Sequence, residues 1–276
     1  MSSEAPVPGG WQPSRRWSLG AAVVVALLVL PFVPLLITSL GHAYFFPQLL
    51  PETWSARAWS RVLAADAATW PALRMSVAVA LAVTAVSMAV AVPAGRVLAT
   101  RRFPGRAGVE LLLFAPTLVP AVAIGIGLHA VFVRLGLDGG VSGVVLAQLV
   151  PAAPYVILLV ASVFANADLE LEQQARSLGA SWWRVQWHVT LPLVAPGLTV
   201  AALFGFLVSW GQYTLTLVIG GGRVVTLPIL LFSVASGGDS SVTAATALFH
   251  ATPAALALLL SAVVLGGRHA ELGGAR

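Results

Sequence analysis

An all-α membrane protein with six transmembrane helices is the fold class that this sequence predicts. Three observations predict it. Apolar residues make up 58% of the chain and charged residues only 9%, with a mean hydropathy of +0.91, whereas a soluble domain carries about 25% charge. Apolar runs near the ~20 residues needed to span a bilayer recur along the chain. The arginines, finally, sort unevenly between alternate loops.

Taken in order, residues 1–17 form a polar tail punctuated by Pro6, Pro8 and Pro13. Arg15 and Arg16 precede the apolar run Leu19–Leu40, which is long enough to span and shows no small-residue cleavage site near its end, so it is read as a first span rather than a signal peptide. Gly41–Pro71 is a hydrophilic loop with a short helix over Ser55–Ala65 and with Trp54, Trp59 and Trp70 suited to a membrane interface or to packing on neighbouring loops. The second span is Leu73–Val92, followed by a loop crowded with Arg96, Arg101, Arg102 and Arg106. The third is Leu111–Val133, broken by Pro116 and Pro120; Glu110 at its edge is placed for an ion pair with that cluster. After a tight turn at Arg134–Gly140 comes the fourth span, Val141–Phe164, then a charged loop, 168–192, and the fifth span, Leu193–Ile219. Gly220–Ser241 is a loop holding the apolar piece Val225–Val234, too short to span. The sixth span is Val242–Leu265, and residues 268–276 form a charged tail. The membrane domain therefore covers 18–267.

Six spans put both termini on one side. Arg15, Arg16, Arg96, Arg101, Arg102, Arg106, Arg176, Arg184, Arg268 and Arg276 fall on that side, and Arg57, Arg61, Arg74, Arg134 and Arg223 on the other: ten against five. The excess places the termini and the 168–192 loop in the cytoplasm. The net charge of +5 is thus topological and no nucleic-acid footprint. Cysteine is absent, which removes disulfides, thiolate metal sites and a cysteine nucleophile. Lysine is absent too, and a phosphate-binding P-loop requires it, so any ATP used must be bound by another chain. Gly125-Ile126-Gly127 is no dinucleotide fingerprint, since neither a preceding strand nor a third glycine accompanies it.

The loop from Asp168 to Pro192 organises the second half. Asp168 is placed to cap a helix whose first turn holds Glu170 and Glu172. Glu172 and Arg176 are spaced i,i+4, and Leu171, Ala175 and Leu178 share a face. Gly179 can take the left-handed conformation that ends a helix. Ser181 is placed to cap a second helix with the apolar face Trp182, Val185 and Val189, and Pro192 is expected to stop it. Gly179, nine residues, then Val189-Thr190-Leu191-Pro192 resembles the second half of the EAA loop of ATP-binding-cassette importer permeases. Where that family has Glu-Ala-Ala, this chain has Gln173-Gln174-Ala175, with Glu172 just before. The resemblance implies a docking loop for a cytoplasmic ATPase made of Glu172, Gln173, Gln174, Ala175, Gly179, Leu191 and Pro192. The order of spans and the stretch Gly220-Gly221-Gly222-Arg223-Val224-Val225-Thr226-Leu227-Pro228 resemble the spermidine/putrescine-type branch.

Polar groups within spans are costly and invite a functional reading. The candidates for a solute path are Ser209, Gln212, Tyr213 and His250, with interhelical hydrogen bonding as the competing role for each. His129 and His250 each lack a second ligand at helical spacing, so no metal or other cofactor is expected. No mid-membrane carboxylate is present to couple protons or sodium, and no nucleophile–base pair is evident. The family resemblance implies a type I permease fold in the bacterial inner membrane, with no catalytic centre of its own. It also implies partners: an ATPase dimer, a second permease subunit that is a different chain, an extracytoplasmic solute-binding protein, and membrane lipid. The solute expected is small and polar, polyamine-like or sugar-like, although the neutral Gly211-Gln212-Tyr213 lacks the acids of polyamine members. On the residues alone, a stand-alone secondary transporter or channel is the alternative, and an intramembrane enzyme a third.

Overall fold

The computed structural model describes residues 23, 24, 26, 27, 29–42 and 50–273, with side chains to residue 259. The expected tail 1–17, the start of the first span and residues 274–276 lie outside the described residues.

The described chain is almost wholly helical. Helix α1 (Phe32–Ser39) leads into a two-residue ladder that pairs β1 (Gly41–His42) antiparallel with β2 (Thr53–Trp54), a small exception to the all-α expectation. The short helix expected in this loop is α2 (Arg57–Leu63). The second expected span is longer than its apolar run: α3 covers Thr69–Thr100. Pro93 lies inside it without ending it, as happens in membrane helices whose freed carbonyl is re-satisfied by neighbours. At 32 residues α3 is about 48 Å long, well beyond the ~30 Å hydrocarbon core, so its arginine-bearing end projects past the apolar layer.

The third expected span is two helices. α4 (Arg106–Leu118) and α5 (Ala121–Leu135) meet at an angle of 100° across Val119 and Pro120. Val119 is extended and Pro120 has no N–H, so the helical ladder cannot cross the junction. Gly136, at φ 66°, ends α5. α6 (Val141–Ala165) matches the fourth expected span. The loop region holds α7 (Glu170–Ser177) and α8 (Trp182–Val185). A π-helical turn at Gln186–Thr190 then joins α8 directly to α9 (Leu191–Trp210). Pro192 therefore does not stop a helix. It sits in the first turn of α9, where its missing N–H is tolerated, and the wider π turn absorbs its ring. The fifth expected span ends early at Gly211, and α10 (Thr214–Gly220) continues after a break. α11 (Leu227–Ser236) is the short apolar helix, and α12 (Ser240–Gly273) closes the fold.

Among the described residues, four continuous helical stretches are long and apolar enough to cross a membrane: Thr69–Thr100, Val141–Ala165, Trp182–Trp210 and Ser240–Leu259. The bent α4–α5 pair makes up to five. α3 and α6 form the central pair, and α9 crosses both. Glycines permit the approach: a Cβ on Gly95 would lie 2.8 Å from the Ala161 backbone nitrogen, and one on Gly197 2.5 Å from Val163 Cγ2. One apolar core, near the loop end, gathers Ala91, Val156, Val160, Phe164, Val194 and Leu198. A second, at the opposite end, gathers Val79, Val83, Phe132, Val144, Leu215 and Ile219. There α2 is tied to the start of α12 by Arg57 and Arg61, which donate at 2.9 and 3.4 Å to Asp239, the residue before that helix. Leu111, Leu112, Leu118 and Ile126 face outward, as lipid-facing residues do.

Candidate functional site

Loop 168–192 folds into an elbow. Asp168 Oδ1 accepts the N–H of Glu170 at 3.1 Å, and Glu170 and Glu172 occupy the first turn of α7, where the helix dipole favours them. The end of α7 is a Schellman motif. Gly179 N–H donates to Arg176 O at 2.9 Å, and Ala180 N–H to Ala175 O at 3.1 Å. That closure requires the positive φ of Gly179, 84°. Ser181 takes the N-cap position of α8, but its carbonyl rather than its hydroxyl is used, accepting from Val185 N–H at 3.0 Å.

The two apolar faces expected of the elbow exist but are not covered by this chain. Leu171, Leu178 and Trp182 are exposed, Leu178 by 89%; Ala175 and Val189 are half-buried and only Val185 is fully buried. Gln173 and Gln174 are exposed, and so are Trp183 and Trp187. Leu191 and Pro192 open α9 beneath the elbow.

The acid of the loop behaves otherwise. Glu172 is 6% exposed and is the one buried residue of α7. Its expected partner, Arg176, lines a polar cavity of about 380 Å³ instead. The ion pair is made by Arg96, whose Nη2 donates to Glu172 Oε2 at 2.6 Å. This follows from the extra turns of α3, which carry Arg96 past the apolar layer and up to α7. Thr190 Oγ1 donates to the other carboxylate oxygen at 2.7 Å. Arg96 Nη1 donates to Gln186 Oε1 at 2.5 Å, and its guanidinium lies 5.7 Å from the centre of the Phe164 ring. Arg96 also borders a cavity of about 390 Å³ lined by Pro93, Phe164, Trp182, Trp183 and Trp187. Sequence reasoning placed Arg96 in a loop and missed it. The signal available was the weakness of one proline as a helix stop within a membrane. Glu110, by contrast, pairs with Arg106 at 2.8 Å as expected.

The candidate path residues lie around the break between α9 and α10 without forming one cluster. Ser209 is buried and donates to Gln148 Oε1 at 2.5 Å; Gln148 Nε2 donates to Thr216 Oγ1 at 2.9 Å; and Thr216 Oγ1 donates to the Gln212 carbonyl at 2.8 Å. Gln148 thus holds both sides of the break. Tyr213 points elsewhere and stacks on Phe232 with ring centres 4.0 Å apart. His250 stacks on Trp210 at 5.4 Å, and its carbonyl accepts from Trp210 Nε1 at 3.2 Å. Among the described residues no three of His, Cys, Asp and Glu gather as a metal site would need. Gln148→Leu should strand the buried Ser209 hydroxyl, at about 1–3 kcal/mol, and take the Gln148 donor from Thr216, which keeps its bond to the Gln212 carbonyl. The thermal unfolding midpoint of the purified protein should fall by several degrees, and an unchanged midpoint would show that the break does not depend on Gln148.

Apolar helices of spanning length, one pair of them broken at Pro120, with an uncovered elbow at one end, define a multi-pass membrane protein. The chain belongs to the family of binding-protein-dependent transport system inner membrane components, the permeases of ATP-binding-cassette importers, whose model matches residues 91–267. It is 32% identical over 207 residues to the molybdenum transport system permease protein ModB of Haemophilus influenzae, covering 69% of this chain and 90% of that one. It is 27% identical over 260 residues to the putative 2-aminoethylphosphonate transport system permease protein PhnV of Salmonella typhimurium, covering 92% and 93%. A bacterial transporter structure of the same class, involved in import of the acidic polysaccharide alginate, shares the fold with a TM-score of 0.66 at 19% identity, covering 92% of this chain and 98% of that chain. Both of the named relatives are transport system permease proteins.

Proposed function

We propose that this chain forms half of the translocation path of an ATP-driven importer in the bacterial inner membrane. The observation that carries the reading is the elbow: a glycine-hinged helix pair at the EAA spacing whose apolar residues, Leu171, Leu178 and Trp182, are left uncovered by the chain itself. The membrane domain, 18–267, then spans six times with both termini cytoplasmic, the tails 1–17 and 268–276 lie in the cytoplasm, and 168–192 docks on an ATPase dimer. Glu172, Gln173, Gln174, Ala175, Gly179, Leu191 and Pro192 make up that loop. A second, different permease completes the path, and a solute-binding protein delivers the solute. One of the solved alginate transporter structures holds a periplasmic protein bound to an alginate pentasaccharide, which supports such a partner.

ATP binding would draw two docking loops together and turn the cavity outward; hydrolysis would reset it. Ser209, Gln212, Tyr213 and His250 are the groups proposed to meet the solute. They offer hydroxyl, amide and imidazole groups and no acid, which suits a neutral or anionic small solute better than a polyamine. Relatives named for molybdenum and 2-aminoethylphosphonate transport support the same preference. The test is uptake by proteoliposomes holding this chain with its co-purified partners. Uptake should require ATP inside and loaded binding protein outside. Uptake by the chain alone on an ion gradient would instead establish a secondary transporter. Leu178→Asp should weaken ATPase binding about 10- to 100-fold, since burying a leucine contributes about 1.5–3 kcal/mol, and retention of the ATPase at wild-type ratio would place the contact elsewhere.

A further inference from the structure

Two oxygens of one buried carboxylate reach two different spans. Glu172 takes Arg96 of α3 on Oε2 and Thr190 of the π turn on Oε1, and Arg96 closes the ring by donating to Gln186 at the start of the same turn. Helix α7 has no other buried residue. It has eight residues, too few to be stable in water alone, and beyond its end the chain turns at a glycine with open space around it. A displacement imposed on α7 therefore has a direct polar route into the membrane domain through the Glu172 carboxylate, beside the backbone and the packing of α7 on α8 and the π turn. At the receiving end the route meets a π turn. That turn carries an extra residue relative to the helices on either side, a feature frequent at functional sites.

We propose that Arg96, Glu172, Thr190 and Gln186 form an internal brace that passes motion of the docking elbow to α3 and α9 together. This rests on the importer reading above and gives Glu172 a role inside the permease rather than on the ATPase surface. The four are positioning residues; none touches solute or nucleotide. The burial of Glu172 and Thr190 keeps both off the docking surface. The brace also accounts for the departure from the family motif, because an acid at position 172 faces inward while Gln173 and Gln174 face out.

The test uses the whole complex in proteoliposomes, with solute moved per ATP hydrolysed as the readout beside ATPase retention. Arg96→Ala and Glu172→Ala should each lower the solute moved per ATP by about tenfold or more, within the usual range of coupling between sites, with the ATPase still bound. The exchange of charges, Arg96→Glu with Glu172→Arg, should recover most of the loss. Thr190→Val is the mild variant should the exchange fail to reach the membrane; it removes one donor from the carboxylate and should cost roughly fivefold. Wild-type coupling in Thr190→Val or in the single alanine variants would overturn the brace. So would loss of the ATPase from Glu172→Ala but not from Arg96→Ala, which would make Glu172 a docking contact. A wild-type chain that carries no ATPase would overturn the importer reading itself and the brace with it.

Discussion

Gly179→Val is expected to leave the protein in the membrane with its ATPase bound while uptake falls by more than tenfold. Gly179 has φ 84°, and a Cβ there would meet nothing within 4 Å. The penalty is therefore in the backbone. A β-branched residue resists positive φ, and holding one there costs about 1–3 kcal/mol. The chain relieves this by abandoning the Schellman closure that joins Ala180 to Ala175, so the angle between α7 and α8 is no longer fixed. A lever whose arms are free to pivot loses the backbone route from α7 to α9, and the Glu172 bonds alone do not hold the two arms at one angle. Gly179→Asn is the control, because asparagine tolerates the left-handed region, and it should retain most of the uptake. ATP hydrolysis and uptake measured on the same vesicles check this; normal uptake by a well-expressed Gly179→Val protein would remove the elbow from the mechanism.

Gly95→Val is expected to have the largest effect on folding. The Cβ alone would stand 2.8 Å from Ala161 N and from Val160 Cγ1, and 3.0 Å from Ile157 O. Two of those three atoms are backbone of α6 and cannot turn aside, so α3 and α6 must separate. Overpacking of this kind costs about 1–3 kcal/mol and sometimes more, and here it falls on the central helix pair. The substitution also moves the neighbouring Arg96 away from Glu172. The yield of monodisperse protein in mild detergent should drop severalfold, by the equivalent of at least ~1 kcal/mol, and Gly95→Ala should follow in the same direction. Unchanged yield and unfolding temperature for both would contradict the close crossing.

How much of this was legible in the sequence depends on how local each cause is. The fourth span was readable because Val141–Ala165 is one apolar run bounded by Gly140 and Asn166. The elbow was readable because a glycine at a helix end has a local meaning, and φ 84° is what that meaning demands. The bend between α4 and α5 was half legible. Pro120 announces an interruption, but whether a span kinks or turns by 100° is set by the helices that pack on either half. The end of α3 was misread because the apolar run expected as the second span stops at Val92, whereas the helix continues through Pro93 to Thr100 where neighbouring helices support it. From that error followed the partner of Glu172. Local spacing offered Arg176 four residues on, whereas the bond is made by Arg96, 76 residues away in the chain. Leu171, Leu178 and Trp182 were legible as parts of apolar faces, but hydrophobic periodicity does not say which molecule covers a face. The residues around Gly211 resisted reading most, since a serine hydroxyl within a span suits a solute path and an interhelical bond alike, and the bond of Ser209 to Gln148 depends on the approach of α6, which local sequence does not show.

The measurement that bears most directly on the importer account is purification of the tagged chain in mild detergent from its native host, with every protein that accompanies it in fixed ratio identified by mass spectrometry. The account predicts an ATPase and a second multi-pass permease in stoichiometric amounts, joined after cross-linking from Leu178 or Trp182 to the ATPase. A lone chain, or one whose elbow cross-links to no ATPase, would contradict it and leave a transporter that works by itself.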